Sequence, residues 1–160
     1  MTDQRLIDIQ LDESTVIRWS ADVDHERRIA IYDLLEDNSF ELLKSSDAAY
    51  SGPYTLLLSV VEGRLVFDIG DTEKNPLFSF RLAMSPFRRI VREYFAICDS
   101  YYEAIKSASP SQIEVIDVGR RGLHNQGSEL LQERLAEKVL VDHQTARRLF
   151  TLVCVLHLKG

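Results

Sequence analysis

Apolar and polar residues alternate along residues 5–11, RLIDIQL, with Ile7, Ile9 and Leu11 on one face, the period of a strand that buries one side. Helical spacing follows over residues 24–37, where Ile31, Leu34 and Leu35 share a face and acidic residues occupy the first turn. After the loop SSDAAYSG (45–52), three stretches return to strand character: PYTLLLSVV (53–61), RLVFDIG (64–70) and PLFSFRLAM (76–84). Glu62-Gly63 is short enough for a tight hairpin and GDTEKN supplies a longer one, so these three strands form an antiparallel meander. In the third, Phe78, Phe80, Leu82 and Met84 share one face.

From Ser85 the period lengthens to 3.6. Ser85 reads as an N-cap and Pro86 as the first helical residue, and a broad apolar stripe from Phe87 to Ile105 predicts a helix over 85–106 that packs across the sheet. A second start, Ser-Pro-Ser-Gln at 109–112, has the serine and glutamine of a capping box. The last helix is expected from Asp142 to about Leu158. Eight of its final ten residues, LFTLVCVLHL (149–158), are apolar, so that end is enclosed on all sides or lies in a subunit interface.

Residues 110–137 admit two readings. In one, IEVIDVG is a strand, GRRGLHNQGS a loop and ELLQERL a helix, because Gly122 and Gly127-Ser128 nearly spell the phosphate-cradling G-x-x-x-x-G-K-[ST] pattern without its lysine. In the other, one helix runs throughout, and Gly119, Gly122 and Gly127 permit close backbone approach at a propensity cost of roughly 1 kcal/mol each. The capping box and the missing lysine favour the helix.

That helix would carry Arg120 and His124, and Arg121 and Asn125, as two ladders four residues apart. Arg120 or Arg121 could grip a phosphate or carboxylate, with His124 as proton donor and Asn125 orienting it, which makes these four the candidate ligand-binding residues. The bland alternative pairs both arginines with acidic groups of the N-terminal half and leaves His124 capping a turn. His25 and Arg28, at the opening of the first helix, form a secondary candidate. Eight of the 14 arginines stand in four doublets, at 27–28, 88–89, 120–121 and 147–148, and an anionic ligand would follow if several doublets converged.

A chain of 160 residues with 45% hydrophobic and 28% charged residues is most simply a single α+β domain. The amino terminus lacks a signal-peptide pattern and the longest apolar run is too short for a membrane span, so the expected location is the cytoplasm, with no membrane partner. Net charge is −6, which makes nucleic acid an improbable partner and weakens the case for an adaptor of an RNA-containing machine. The charge is uneven: residues 1–80 carry 7 basic and 16 acidic side chains, and residues 81–160 carry 12 basic and 9 acidic, so an anion belongs with the second half unless the halves simply neutralise one another.

Other chemistries find little support. No two of His25, His124, His143 and His157 have the spacing of a helical metal pair, and no serine sits in G-x-S-x-G. Cys98 and Cys154 lie in apolar helical patterns and read as buried packing residues. No metal and no cofactor is expected.

Taken together, HERRIAIYDLLEDNSF, GPYTLLLSVVEGRLVFDI, SPFRRIVREYFAICDSYYEAI, SPSQIEVIDVGRRGLHNQGSELL and TARRLFTLVCVLH resemble uncharacterised protein family 0262, an alphaproteobacterial family of about this size. The resemblance implies a bacterial cytosolic single domain and carries no substrate, cofactor or catalytic residue. From the strand and helix patterns the expected fold is α+β, an antiparallel sheet of about four strands (meander plus N-terminal strand) packed against the 85–106 helix and long C-terminal helices. The leading functional expectation is a non-catalytic binding or regulatory module, homodimeric through its apolar C-terminal helices. The rival is an enzyme or sensor for a phosphorylated or carboxylated small molecule, using the cluster at 120–125.

Overall fold

A computed structural model describes residues 3–12 and 21–157. The chain runs β1 (Leu6–Leu11), α1 (Ala21–Glu36), β2 (Phe40–Leu42), β3 (Tyr54–Val61), β4 (Arg64–Gly70) and β5 (Pro76–Ala83). Then come a 3-10 turn (Ser85–Phe87), α2 (Arg88–Ser107), α3 (Pro110–Leu135), β6 (Val139–Val141) and α4 (His143–His157). The fold is α+β. Leu158, the expected end of the last helix, lies outside the described residues.

The four-stranded sheet has the order β1-β3-β4-β5. Its three consecutive strands form the meander, and the β3–β4 turn has positive φ at both Glu62 (53°) and Gly63 (73°), the primed geometry that matches strand twist. The expected all-antiparallel arrangement fails at the edge, because β1 pairs with β3 in parallel, Ile9 opposite Leu56 and Leu11 opposite Leu58. The reason is connectivity: α1 and β2 intervene, and a crossover returns the chain in the same direction where a short turn would reverse it. The register also shifts between Leu6 and Asp8. Leu6 and Ile9 are consequently the buried residues of β1, while Ile7 is only half-buried, against the strict alternation the sequence suggested.

A second, two-stranded sheet pairs β2 with β6, Phe40 opposite Val141, and ties the segment after α1 to the segment before α4. Asn38 reinforces that junction. Its Oδ1 accepts from the Leu6 amide at 2.7 Å and its Nδ2 donates to the carbonyls of Leu6 (2.9 Å) and Leu34 (2.6 Å), so one side chain stitches α1 to the sheet edge. Asn38→Ala would strand the amide of fully buried Leu6, and chemical denaturation is expected to report a loss of about 2 kcal/mol.

The helices start where local chemistry allows. Ser109 Oγ accepts from the Gln112 amide at 3.3 Å and Gln112 Oε1 accepts from the Ser109 amide at 3.1 Å, both halves of the capping box, and α3 then continues unbroken through all three glycines. The strand-loop-helix alternative is thereby set aside. Asp142 Oδ1 accepts from the Thr145 amide at 2.8 Å and starts α4. Ser85 does not cap a helix as expected. Ser85-Pro86-Phe87 instead winds into a 3-10 turn closed by the Phe87 amide on the Met84 carbonyl, and α2 begins after it without a side-chain cap.

Expected to lie across the sheet, α2 packs chiefly along α3, and α4 takes the place against β3 while also contacting α1 and α3. The core therefore joins Leu56, Leu58 and Phe67 of the sheet to Leu149, Phe150 and Val153 of α4. The apolar stretch Leu152–Leu156 is buried within the one chain, so it offers no surface for a second copy.

Candidate functional site

Between α1, α2, α3 and α4 lies an open cleft of about 400 Å³. One face of α4 lines it with Gln144, Arg147, Arg148 and Thr151, the i, i+3, i+4, i+7 spacing of a helical stripe. From α3 come Arg120, Arg121 and His124; from α1 come Glu26, Ile29, Ala30 and Asp33. Tyr94 of α2 completes the lining. Two of the four arginine doublets thus converge, 120–121 with 147–148.

The four guanidinium groups differ in what they already hold. Arg120 is committed to Asp117 on its own helix, with Nη2 at 2.7 Å and Nε at 3.2 Å from Oδ1, and its guanidinium carbon lies 4.4 Å from the centre of the Tyr101 ring. Arg121 reaches the other oxygen of Asp117 at 3.2 Å and Glu114 at 3.8 Å. The hydrogen bond from Arg120 holds the Asp117 carboxyl below its ordinary range. These partners sit on α3 itself and not, as the bland alternative supposed, in the N-terminal half. Arg148 Nη1 donates to the carbonyls of Asp37 (2.9 Å) and Asp33 (3.3 Å), closing the C-terminal end of α1.

Arg147 is different: its Nε is buried without a hydrogen-bond partner, and among the described residues no carboxylate pairs with its guanidinium. Sequence reasoning noted the 147–148 doublet but did not place it in the site. The available signal was the polar stripe of the first two turns of α4.

His124 is buried, its ring 5.3 Å from both Tyr94 and Phe150. Nε2 lies 2.8 Å from Thr151 Oγ1, and Ser128 Oγ donates to the His124 carbonyl at 2.7 Å. Burial pushes the imidazole pKa down to about 4, and the charges of Arg147 and Arg120 act in the same direction. At neutral pH the ring is therefore uncharged, with one N–H to donate. Asn125 is not part of the cleft lining, and its Oδ1 is buried without a hydrogen-bond partner among the described residues. The secondary pair is not brought in either: His25 is exposed, and Arg28 pairs with Asp24 at 3.0 Å. The Arg88-Arg89 doublet opens α2, where Arg89 faces Glu93 at 3.6 Å.

A second cavity of about 460 Å³ borders the sheet around Leu57 and Phe78. Its acids have partners: Asp8 with Lys74 at 3.4 Å, and Asp68 accepting from Ser79 at 2.6 Å. Among the described residues no group of three or more histidine, cysteine or acidic side chains is arranged to hold a metal, and no helix is long and apolar enough to cross a membrane.

The profile of the Uncharacterised protein family (UPF0262) matches residues 3–159. The chain belongs to that family. A UPF0262 protein of Rhodospirillum rubrum is 58% identical over 155 residues, covering 97% of this chain and 93% of that protein. One from Erythrobacter litoralis is 55% identical over 160 residues and the full length of both chains, and one from Sphingopyxis alaskensis is 50% identical over 98% of this chain and 95% of its own. No solved structure matches the chain. Membership in UPF0262, a bacterial family, assigns no residue a role, so the cleft has to be read from its own groups.

Proposed function

We propose that the protein is a non-catalytic cytosolic binding module whose cleft takes a small molecule bearing a phosphate or carboxylate group, held by Arg147 with Arg148 beside it. The observation that carries this reading is the unpartnered Nε of Arg147. A buried guanidinium N–H without an acceptor is costly, and a bound anion would offset that cost with paired, charge-assisted hydrogen bonds. The neutral state of His124 and its engagement with Thr151 support binding in preference to proton transfer. Two buried thiols, Cys98 and Cys154, are unpaired and fit a reducing compartment.

The test is a thermal-shift screen with inorganic phosphate, sugar phosphates, nucleotides and small carboxylates. A ligand at 100 times its dissociation constant is expected to stabilise the wild type by roughly 2.7 kcal/mol. Arg147→Gln should retain or slightly gain stability without ligand and weaken binding by about tenfold or more, because a charged hydrogen-bond donor is lost. An absence of any shift across the anions would retire the proposal.

A further inference from the structure

The cleft is not uniformly basic. Asp33 stands on α1 in the same lining, and its carboxylate, like the guanidinium of Arg147, has no ion-pair partner among the described residues. Arg148 lies beside it, yet spends Nη1 on the main-chain carbonyls of Asp33 and Asp37 and not on the carboxylate. The other acid of the lining, Glu26, accepts from the Tyr102 hydroxyl at 2.8 Å, which engages one carboxylate oxygen and leaves its charge in place. A cation on α4 and an anion on α1 therefore share one opening, neither of them held in an ion pair among the described residues. Their positions are set by helices that pack together and by Arg148, which fastens α4 to the end of α1.

A ligand bearing only negative charge would meet Asp33 as a like charge, and one bearing only positive charge would meet Arg147 in the same way. A molecule with both groups satisfies both side chains. We infer that the ligand is a small zwitterion, its carboxylate or phosphate on Arg147 and its ammonium on Asp33, with Ile29 and Ala30 beside the intervening carbons. The inference rests on the anion-binding reading and narrows it to amino acids and amino-bearing phosphate monoesters. The cavity of about 400 Å³ lies within the range of small-molecule sites.

Matched probes differing only in the amine separate the possibilities by isothermal titration: L-glutamate against glutarate, 4-aminobutyrate against butyrate, and phosphoethanolamine against ethyl phosphate. In at least one pair the amine-bearing member is expected to bind about tenfold tighter or more, and the pair that does so identifies carboxylate or phosphate as the anionic group. Asp33→Asn should erase that preference while leaving the affinity for the amine-free member in place, and Arg147→Gln should weaken both members. Circular dichroism of both variants checks that they remain folded. If the amine-free member binds as tightly as its partner in every pair, the zwitterion inference fails and the anion reading stands. If no member of any pair binds, both fail. A preference that survives Asp33→Asn overturns the role given to Asp33.

Discussion

Gly127→Val is expected to destabilise the protein by about 3 kcal/mol, and Gly127→Ala by about 2 kcal/mol, measured by urea unfolding. Gly127 is buried where α3 crosses α4, and a Cβ there would overlap Cζ, Cε1 and Cε2 of Phe150. Phe150 is fully buried against Tyr94 and His124, so its ring has nowhere to go without moving α4. The alanine figure is smaller because leaving glycine returns roughly 1 kcal/mol of helix propensity. Gly122 supplies the opposite sign from the same helix: no atom lies within 4 Å of a Cβ placed there, so Gly122→Ala should stabilise by about 1 kcal/mol. Shrinking the ring in a Gly127→Ala, Phe150→Leu double variant should recover part of the loss, since the two sites share one space. Equal effects at Gly122 and Gly127 would mean that α3 does not press on α4 there.

The second large effect is a loss of stability in mild acid. His124 titrates near 6.5 when the chain is unfolded and at about 4 in the fold. Between those values the unfolded chain binds a proton that the folded protein refuses. The stabilisation is therefore complete above pH 6.5 and falls away as pH drops toward 4, by about 3 kcal/mol in all. His157, also depressed by burial, contributes a slope of the same sign, so the comparison must be made against a variant. His124→Gln keeps a group able to reach Thr151 and removes the titration. Its unfolding free energy should change less between pH 7 and pH 4 than that of the wild type. Asp24 and Asp117, whose carboxyls are held low by arginines, lose their contribution as pH falls through the ordinary carboxylate range, so they overlap only the acid end of this window and do so equally in wild type and variant. Parallel pH profiles for the two proteins would show that His124 is not desolvated.

Much of this molecule could be read in short stretches. The Ser109–Gln112 box starts a helix because both of its hydrogen bonds close within four residues, and Glu62-Gly63 turns a hairpin because two consecutive residues accept positive φ. Errors came where distant segments intervene. Ile7 loses its expected place in the core to a register shift against β3, and β1 runs parallel because α1 and β2 separate it from its partner strand. The three-residue strands β2 and β6 have no periodicity of their own and exist through each other. In the cleft, Arg120, Arg121 and His124 were legible as one face of one helix, but Asn125, one residue further round, is not part of the lining.

Charge state and partnership were decided at longer range still. From sequence, His124 beside two arginines resembles a proton donor; enclosure by Tyr94 and Phe150 makes it neutral. The chain alone determined where helices and hairpins begin, because caps, turns and amphipathic periods depend on residues a few positions apart. Arg120 and Arg121 are occupied by Asp117 and Glu114 within α3 itself, but only the packing of α1, α3 and α4 decided that Arg147 and Asp33 face a common opening. Whether charges on different helices meet depends on which helices become neighbours, and that is settled by burial of Leu149, Phe150 and Val153, residues that carry no charge at all.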